Sequence, residues 1–250
     1  MILSHSKKFI FFRVAKTGST TAEVLLRLSA KWDHTQDVLI GTKEWELPGI
    51  NSLRKAGYGS TESSEIEINW AHITPQQLID YGVLTLEQLK EYNCYAFLRP
   101  IEGRFISGYL HCLRRQKWGR IDSMGLQPDQ FIKRWREQRE LFSAEEIIGR
   151  PQIDWFFANG EQVVQPLDFD NYDAEVRFLI DRVGGYQYPE IPVLNKAPVD
   201  ALPPNRTEWA KDTWKNYPEI SDNILEWYAD DHNFYMENFN DNYKQLHFGT

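Results

Sequence analysis

Lys8-Phe9-Ile10-Phe11-Phe12-Arg13-Val14, then Ala15-Lys16-Thr17-Gly18-Ser19-Thr20-Thr21, then Ala22-Glu23-Val24-Leu25-Leu26-Arg27-Leu28-Ser29-Ala30: these consecutive stretches decide the fold. The first is β-rich and too short for a buried helix, so it reads as a buried strand. The second is a small polar turn. The third has helical composition, with Ala22, Leu25, Leu26 and Leu28 available to face a core. Strand, glycine-containing turn, helix points to an α/β domain.

Further along, Tyr92–Leu98 (YNCYAFL) reads as a second buried strand stopped by Arg99-Pro100, and Val163–Leu167 as another, weakened by Pro166. Thr74 with Pro75 at the first helical position opens a short helix, and Thr85 with Gln88 resembles a capping box for the next. From Ile101 the spacing Ile101, Phe105, Tyr109, Leu113 is a helical stripe. Asn171–Gly184 is signalled as a helix with an Asn cap and a Gly stop, and Glu219–Asn238 as a terminal amphipathic helix. Residues 33–70 read as a long loop region and Tyr188–Pro204 as a Pro-rich extended loop. Neither a repeat nor a linker is visible, so a single domain over 1–250 is expected.

Composition bounds what such a domain can do. The chain has 250 residues, 42% of them hydrophobic, with 9 Trp, 12 Tyr and 14 Phe, which excludes a disordered or collagen-like protein. Cys94 and Cys112 are its only cysteines, too few for a disulfide framework or a four-thiolate zinc site. A net charge of −8 argues against a surface built for nucleic acid. No secretory pattern and no stretch of about twenty apolar residues is present. A soluble, cytoplasmic protein without a membrane span is expected, and the Golgi lumen only if the native chain is longer. Between Arg104 and Arg139 nine basic residues meet three acidic ones, an island that suits a local anionic ligand or, more plainly, a solvated helix face.

Two segments carry chemistry. In Lys16-Thr17-Gly18-Ser19-Thr20-Thr21 the N–H groups of a helix start can converge on an anion, with Lys16 adding a point charge. Gly18 permits close approach, and Ser19, Thr20 and Thr21 supply hydroxyl donors. The same residues also suit an ordinary capped helix start. The order differs from GxxxxGK[ST], because Lys16 precedes the only glycine. In Leu98-Arg99-Pro100-Ile101-Glu102-Gly103-Arg104-Phe105-Ile106-Ser107, Arg99 follows a strand, where open α/β sheets place ligands. Arg104, Ser107 and His111 share one helix face, and Arg99 with Ser107 could bracket a phosphate through the guanidinium fork. An Arg paired with an acid on a surface helix is the plainer alternative.

Together FFRVAKTGSTT and FLRPIEGRFISGYLH resemble the sulfotransferases that use 3′-phosphoadenosine 5′-phosphosulfate, in particular the carbohydrate O-sulfotransferase branch of the uronyl/heparan 2-O-sulfotransferase type. The chain departs from that family's usual Arg-Asp-Pro by reading Arg99-Pro100, while keeping the spacing from Arg99 to Ser107. The resemblance extends to Asn69-Trp70-Ala71-His72, Pro151-Gln152, the strand and helix after Val163, Leu194-Asn195-Lys196, and the terminal Trp227-Tyr228 to Phe234-Tyr235.

What the resemblance implies is a P-loop-like three-layer α/β fold with a central, mostly parallel sheet flanked by helices. Lys16 through Thr21 would hold the 5′-phosphosulfate, and Arg99 and Ser107 the 3′-phosphate. The reaction would be sulfuryl transfer to an acceptor hydroxyl, of a sugar or glycan, with 3′,5′-bisphosphoadenosine as product and no metal. Lys16 would stabilise the leaving oxygen and His72 would act as base. His72 equally suits a structural histidine beside Trp70, and Glu65, Glu67 and His111 are alternative bases. Trp45, Trp70, Trp118 and Trp135 could stack on the acceptor. A nucleotide-dependent kinase of related topology and a non-catalytic nucleotide-binding protein are the competing readings.

Overall fold

The computed structural model of the chain describes residues 1–33, 35–39, 70–117, 149–192, 208, 215 and 218–240. Of these, the residues within 1–98 and 154–194 form one compact unit, and those within 99–141, 145–153 and 195–250 form a second. The stretches 40–69, 118–148 and 193–207 lie outside the described residues, and with them Glu65, Glu67, Asn69, Trp45, Trp118, Trp135 and Leu194-Asn195-Lys196.

The first unit is α/β, a mixed sheet of mostly parallel strands flanked by helices. It contains β1 (Ile2–Ser4), β2 (Phe9–Phe12), α1 (Ser19–Ser29), β3 (Asp37–Leu39), α2 (Pro75–Asp80), α3 (Leu86–Glu91) and β4 (Asn93–Leu98). It continues with β5 (Phe157–Ala158), β6 (Glu161–Gln162), β7 (Gln165–Asp168) and α5 (Tyr172–Arg182), the label α4 falling to a helix of the second unit. The main sheet runs β3-β1-β2-β4-β7. β1 is antiparallel to β2 and β3, whereas β2, β4 and β7 are mutually parallel, with Phe12 opposite Ala96 and Leu98 opposite Asp168.

Both faces of β2 and β4 are buried, which is why their sequences read as continuous apolar runs rather than alternating ones. Phe9, Phe11, Tyr95 and Phe97 face Leu25 and Leu26 of α1 and Val176, Leu179 and Ile180 of α5. Ile10, Phe12, Cys94, Ala96 and Leu98 alternate with them and are equally buried. Burial pushes the Cys94 thiol up to about 12, so it is protonated and inert at neutral pH. Leu28, expected to face the core, is instead 72% exposed.

Local chemistry explains most element boundaries. Thr74 and Thr85 each form a complete capping box, with Gln77 and Gln88 respectively. Pro166 is tolerated because β7 is the edge strand of the sheet among the described residues. The expected Asn171 cap is not made: its amide donates to Asp168 Oδ2 at 2.7 Å, and α5 starts without a side-chain cap. The stop at Gly184 is made, with φ +66°.

The strands β1, β5 and β6 went unread in the sequence, and β3 lies in the stretch read as a long loop region. β1 is hidden by its brevity and by Ser4, whose buried hydroxyl donates to Asp37 Oδ1 at 2.7 Å. β5 and β6 form a hairpin around Asn159-Gly160, both with positive φ, the backbone of a type I′ turn.

The second unit contains α4 (Ile101–Lys117), α6 (Pro218–Trp227) and α7 (Ala229–Phe239). The single terminal helix expected from periodicity is two helices broken at Tyr228, whose φ of −117° and ψ of 33° leave the helical region. Its hydroxyl donates to the Gly149 carbonyl oxygen. No helix among the described residues is long and apolar enough to cross a membrane.

Candidate functional site

The first unit brings Lys16–Thr21 and His72 to neighbouring positions. At the carboxyl end of β2 the chain turns through Ala15–Gly18 into α1. The turn is folded back by two hydroxyls, Thr17 Oγ1 and Ser19 Oγ, which both donate to the Val14 carbonyl at 2.9 and 2.8 Å. Lys16 has φ +68° and Gly18 φ +71°, while Thr17 between them stays in the ordinary region. A lysine in this conformation costs about 1–2 kcal/mol. Left-handed residues alternating in this way turn successive N–H groups to one side, the backbone pattern of an anion-binding nest. Gly18 caps α1 without a side-chain hydrogen bond of its own, and its carbonyl accepts the Thr21 N–H at 3.0 Å.

The hydroxyls divide by role. Thr17 and Ser19 are buried and spend their protons on Val14. Thr20 Oγ1 instead accepts from Arg13 Nη2 at 2.8 Å, which leaves its own proton to donate. Gly18 does not open its Cα to a ligand: a Cβ there would lie 2.8 Å from Tyr172 Cε2 and 3.2 Å from Phe169 Cε2. The Tyr172 hydroxyl donates to the Gly18 carbonyl at 2.8 Å, and the ring stacks on Phe97 with centroids 4.8 Å apart.

His72 ends a short 3-10 turn, Trp70–His72, held from behind by Trp155 Nε1, which donates to the His72 carbonyl at 3.1 Å. Its Nδ1 lies 2.7 Å from the Arg13 carbonyl oxygen. A carbonyl only accepts, so Nδ1 carries the proton and Nε2 keeps its lone pair. Burial, and then the positive charge of Arg13, lower the imidazole to about 3, with Lys16 acting in the same direction. His72 is therefore neutral at physiological pH, in one defined tautomer.

Arg13 ties these pieces together, and sequence reading passed over it. Its carbonyl orients His72, Nη2 reaches Thr20, and Nη1 pairs with Glu23 Oε2 at 2.9 Å. Glu23 is only 2% exposed and also stands 3.6 Å from Arg27 Nη1 and 3.7 Å from the Met1 amino nitrogen, which burial lowers to about 5. The available signal was an acid on the buried side of α1, between Ala22 and Leu26.

Arg99 and Ser107 belong to the second unit, Ser107 half-buried on α4. Arg104, grouped by spacing with the ligand-facing residues, is instead wholly buried. Its Nη2 donates to the Arg150 carbonyl at 2.7 Å, and Nη1 lies 3.8 Å from Asp231 Oδ2. Asp231 accepts the N–H groups of Gln152 and Ile153, both at 2.8 Å. Gln152, also wholly buried, grips the backbone of Arg99 from both sides: Arg99 N–H donates to Gln152 Oε1 at 3.1 Å, and Gln152 Nε2 donates to the Arg99 carbonyl at 2.8 Å. The Pro151-Gln152 dipeptide thus has a definite task. His111, half-buried, lies on the same helix as Ser107.

Among the described residues, no three His, Cys, Asp or Glu side chains stand together as a metal site. No protein-family model, no curated protein and no solved structure matches the chain.

Proposed function

We propose that the chain is a sulfotransferase, moving the sulfuryl group of 3′-phosphoadenosine 5′-phosphosulfate to an acceptor hydroxyl of a sugar or glycan on a P-loop-like three-layer fold. The observation that carries the reading is the pairing, within one unit, of the left-handed Lys16–Gly18 turn with a neutral His72 whose Nε2 lone pair is defined by the Arg13 carbonyl. In-line sulfuryl transfer asks for those two functions: cationic and N–H donors for the oxygen that leaves, and a base for the hydroxyl that attacks.

In this reading the N–H groups of residues 17–20, the Thr20 hydroxyl and the Lys16 ammonium hold the 5′-phosphosulfate. Arg99 and Ser107 take the 3′-phosphate. His72 Nε2 accepts the acceptor's proton as the S–O bond to the acceptor forms. The bond between sulfur and the bridging oxygen breaks, and the electron pair stays on the 5′-phosphate of the nucleotide. A pKa of about 3 makes the resting imidazole a weak base. An anion bound beside Lys16 would offset only the smaller, charge-based part of that depression, since burial is its main cause.

Calorimetric titration with 3′,5′-bisphosphoadenosine, AMP and ATP–magnesium tests the proposal. Tight binding of the bisphosphate with much weaker AMP supports it. Equal affinity for the two removes the donor and the reading with it, and a preference for ATP–magnesium selects a kinase.

A further inference from the structure

The polar network buried in the second unit has no counterpart in the chemistry assigned so far. Gln152, Arg104 and Asp231 are essentially inaccessible, and sequestering three such groups is costly unless they organise something. What they organise is the backbone of residue 99. Gln152 closes a reciprocal pair of hydrogen bonds on Arg99, at 3.1 and 2.8 Å. Asp231 in turn holds the main chain of Gln152 and Ile153. Arg104 stands against Asp231 and is anchored to the Arg150 carbonyl.

The side chain of Arg99 has a seat of its own. It lies over the first turn of α4 at Gly103, where a Cβ would come within 2.9 Å of Nε, 3.4 Å of Nη2 and 3.5 Å of Cζ. Gly103 has no positive φ, so its backbone conformation does not require glycine. A side chain at position 103 would have to displace the guanidinium that lies there.

We infer that Gln152 and Gly103 are positioning residues that pre-set Arg99 to read a phosphate monoester, Gln152 by clamping its backbone and Gly103 by leaving room for its guanidinium. A fork held in one orientation loses little freedom when it binds, whereas a mobile arginine loses several rotatable bonds. The guanidinium fork matches two oxygens of a phosphate, as it does those of a carboxylate, and the sulfotransferase reading selects the phosphate. The inference rests on the sulfotransferase reading for the identity of that phosphate, the 3′-phosphate of the nucleotide.

Gly103→Ala is the decisive variant. It leaves the Gln152–Asp231–Arg104 network intact and raises helix propensity within α4, so a loss of binding cannot be put down to a weaker fold. Affinities for 3′,5′-bisphosphoadenosine and for AMP are measured calorimetrically on the full chain, with thermal unfolding alongside. In Gly103→Ala the preference for the bisphosphate falls about tenfold, with AMP affinity and unfolding temperature unchanged or higher. Gln152→Ala gives the same loss of preference, and Gln152→Glu, which keeps the acceptor for the Arg99 N–H, restores part of it. A wild-type preference that persists in both alanine variants overturns the inference alone. Equal losses for both nucleotides reduce the clamp to a structural role and overturn it too. Absence of the preference in the wild type overturns the sulfotransferase reading, and this inference with it.

Discussion

The Nδ1–H of His72 donates to the carbonyl oxygen of Arg13 at 2.7 Å, joining a residue of the 3-10 turn to the residue that follows β2. Because the acceptor is a main-chain atom, the tautomer of His72 is set by the fold and not by any side chain. Burial keeps the ring neutral, and the guanidinium of the same arginine acts in the same direction. One residue therefore supplies the orientation of the candidate base and part of its electrostatics.

That arrangement has a cost at acid pH. The folded imidazole titrates at about 3 against 6.5 for an unperturbed histidine, so the unfolded chain takes up a proton that the folded chain refuses. The stabilisation is full above about pH 6.5 and is lost progressively as pH falls toward 3. Between pH 7 and pH 5 it amounts to up to about 2 kcal/mol. Urea unfolding at the two pH values should show this loss in the wild type and a smaller one in His72→Gln, whose amide can still donate to Arg13.

The same substitution separates binding from chemistry. On the proposed sulfotransferase reading, His72→Gln removes the lone pair that would act as base and should lower sulfuryl transfer by about 10²–10⁴, the usual worth of a general base. Affinity for 3′,5′-bisphosphoadenosine should stay within about threefold of wild type by calorimetry, about 0.65 kcal/mol. Unchanged turnover would reassign His72 to a purely structural role.

Lys16→Ala addresses the other half of the site. If Lys16 stabilises the leaving oxygen as proposed, removing its charge should reduce kcat by about 10²–10³. The backbone nest does not depend on the ammonium, so nucleotide binding should fall less than turnover. A variant with near-normal kcat would show that the loop serves another purpose.

Gly18 is constrained twice, by its φ of +71° and by the Tyr172 ring. Gly18→Ala should destabilise the fold by roughly 2–4 kcal/mol, combining left-handed strain with overpacking. Pairing it with Tyr172→Ala should recover the overpacking part and leave the strain, a double-mutant cycle read by denaturant unfolding.

Glu23→Gln leaves Arg13 and Arg27 facing a neutral amide in a nearly closed site. The expected loss is about 3 kcal/mol, typical of breaking one partner from a buried ion pair. Circular dichroism thermal melts at neutral pH, at two salt concentrations, would check it. A loss that salt abolishes would mean the cluster is more solvated than its 2% exposure indicates.

Features encoded within a few residues were readable in the sequence. The Thr74–Gln77 and Thr85–Gln88 capping boxes, the apolar runs of β2 and β4 and the turn at Lys16–Gly18 all depend on near neighbours. What escaped reading depends on partners distant along the chain. Arg104 looks like a surface charge until Asp231 is brought to it, and Gln152 looks unremarkable until it closes on Arg99. Gly18 was expected to admit a ligand, yet Tyr172, remote in sequence, fills the space. The Asn159-Gly160 hairpin is different, a local signal that a search for long strands passes over.

The strand order also sets a sequence of assembly. The β1–β2 hairpin joins residues only a short loop apart, with Ser4 opposite Phe9. The parallel pairs are another matter, since Phe9 must meet Asn93 and Tyr95 must meet Gln165. Each of those registers closes a long stretch of chain before any contact offsets the entropy lost. The hairpin offers the first template, and β4 and then β7 can add only as the intervening chain is gathered in. Refolding of this sheet should accordingly be slow, limited by long-range encounter rather than by local propensity. While β4 is unpaired, the apolar edge of β2 stays open to other chains, so the time to close that register is also the window for aggregation.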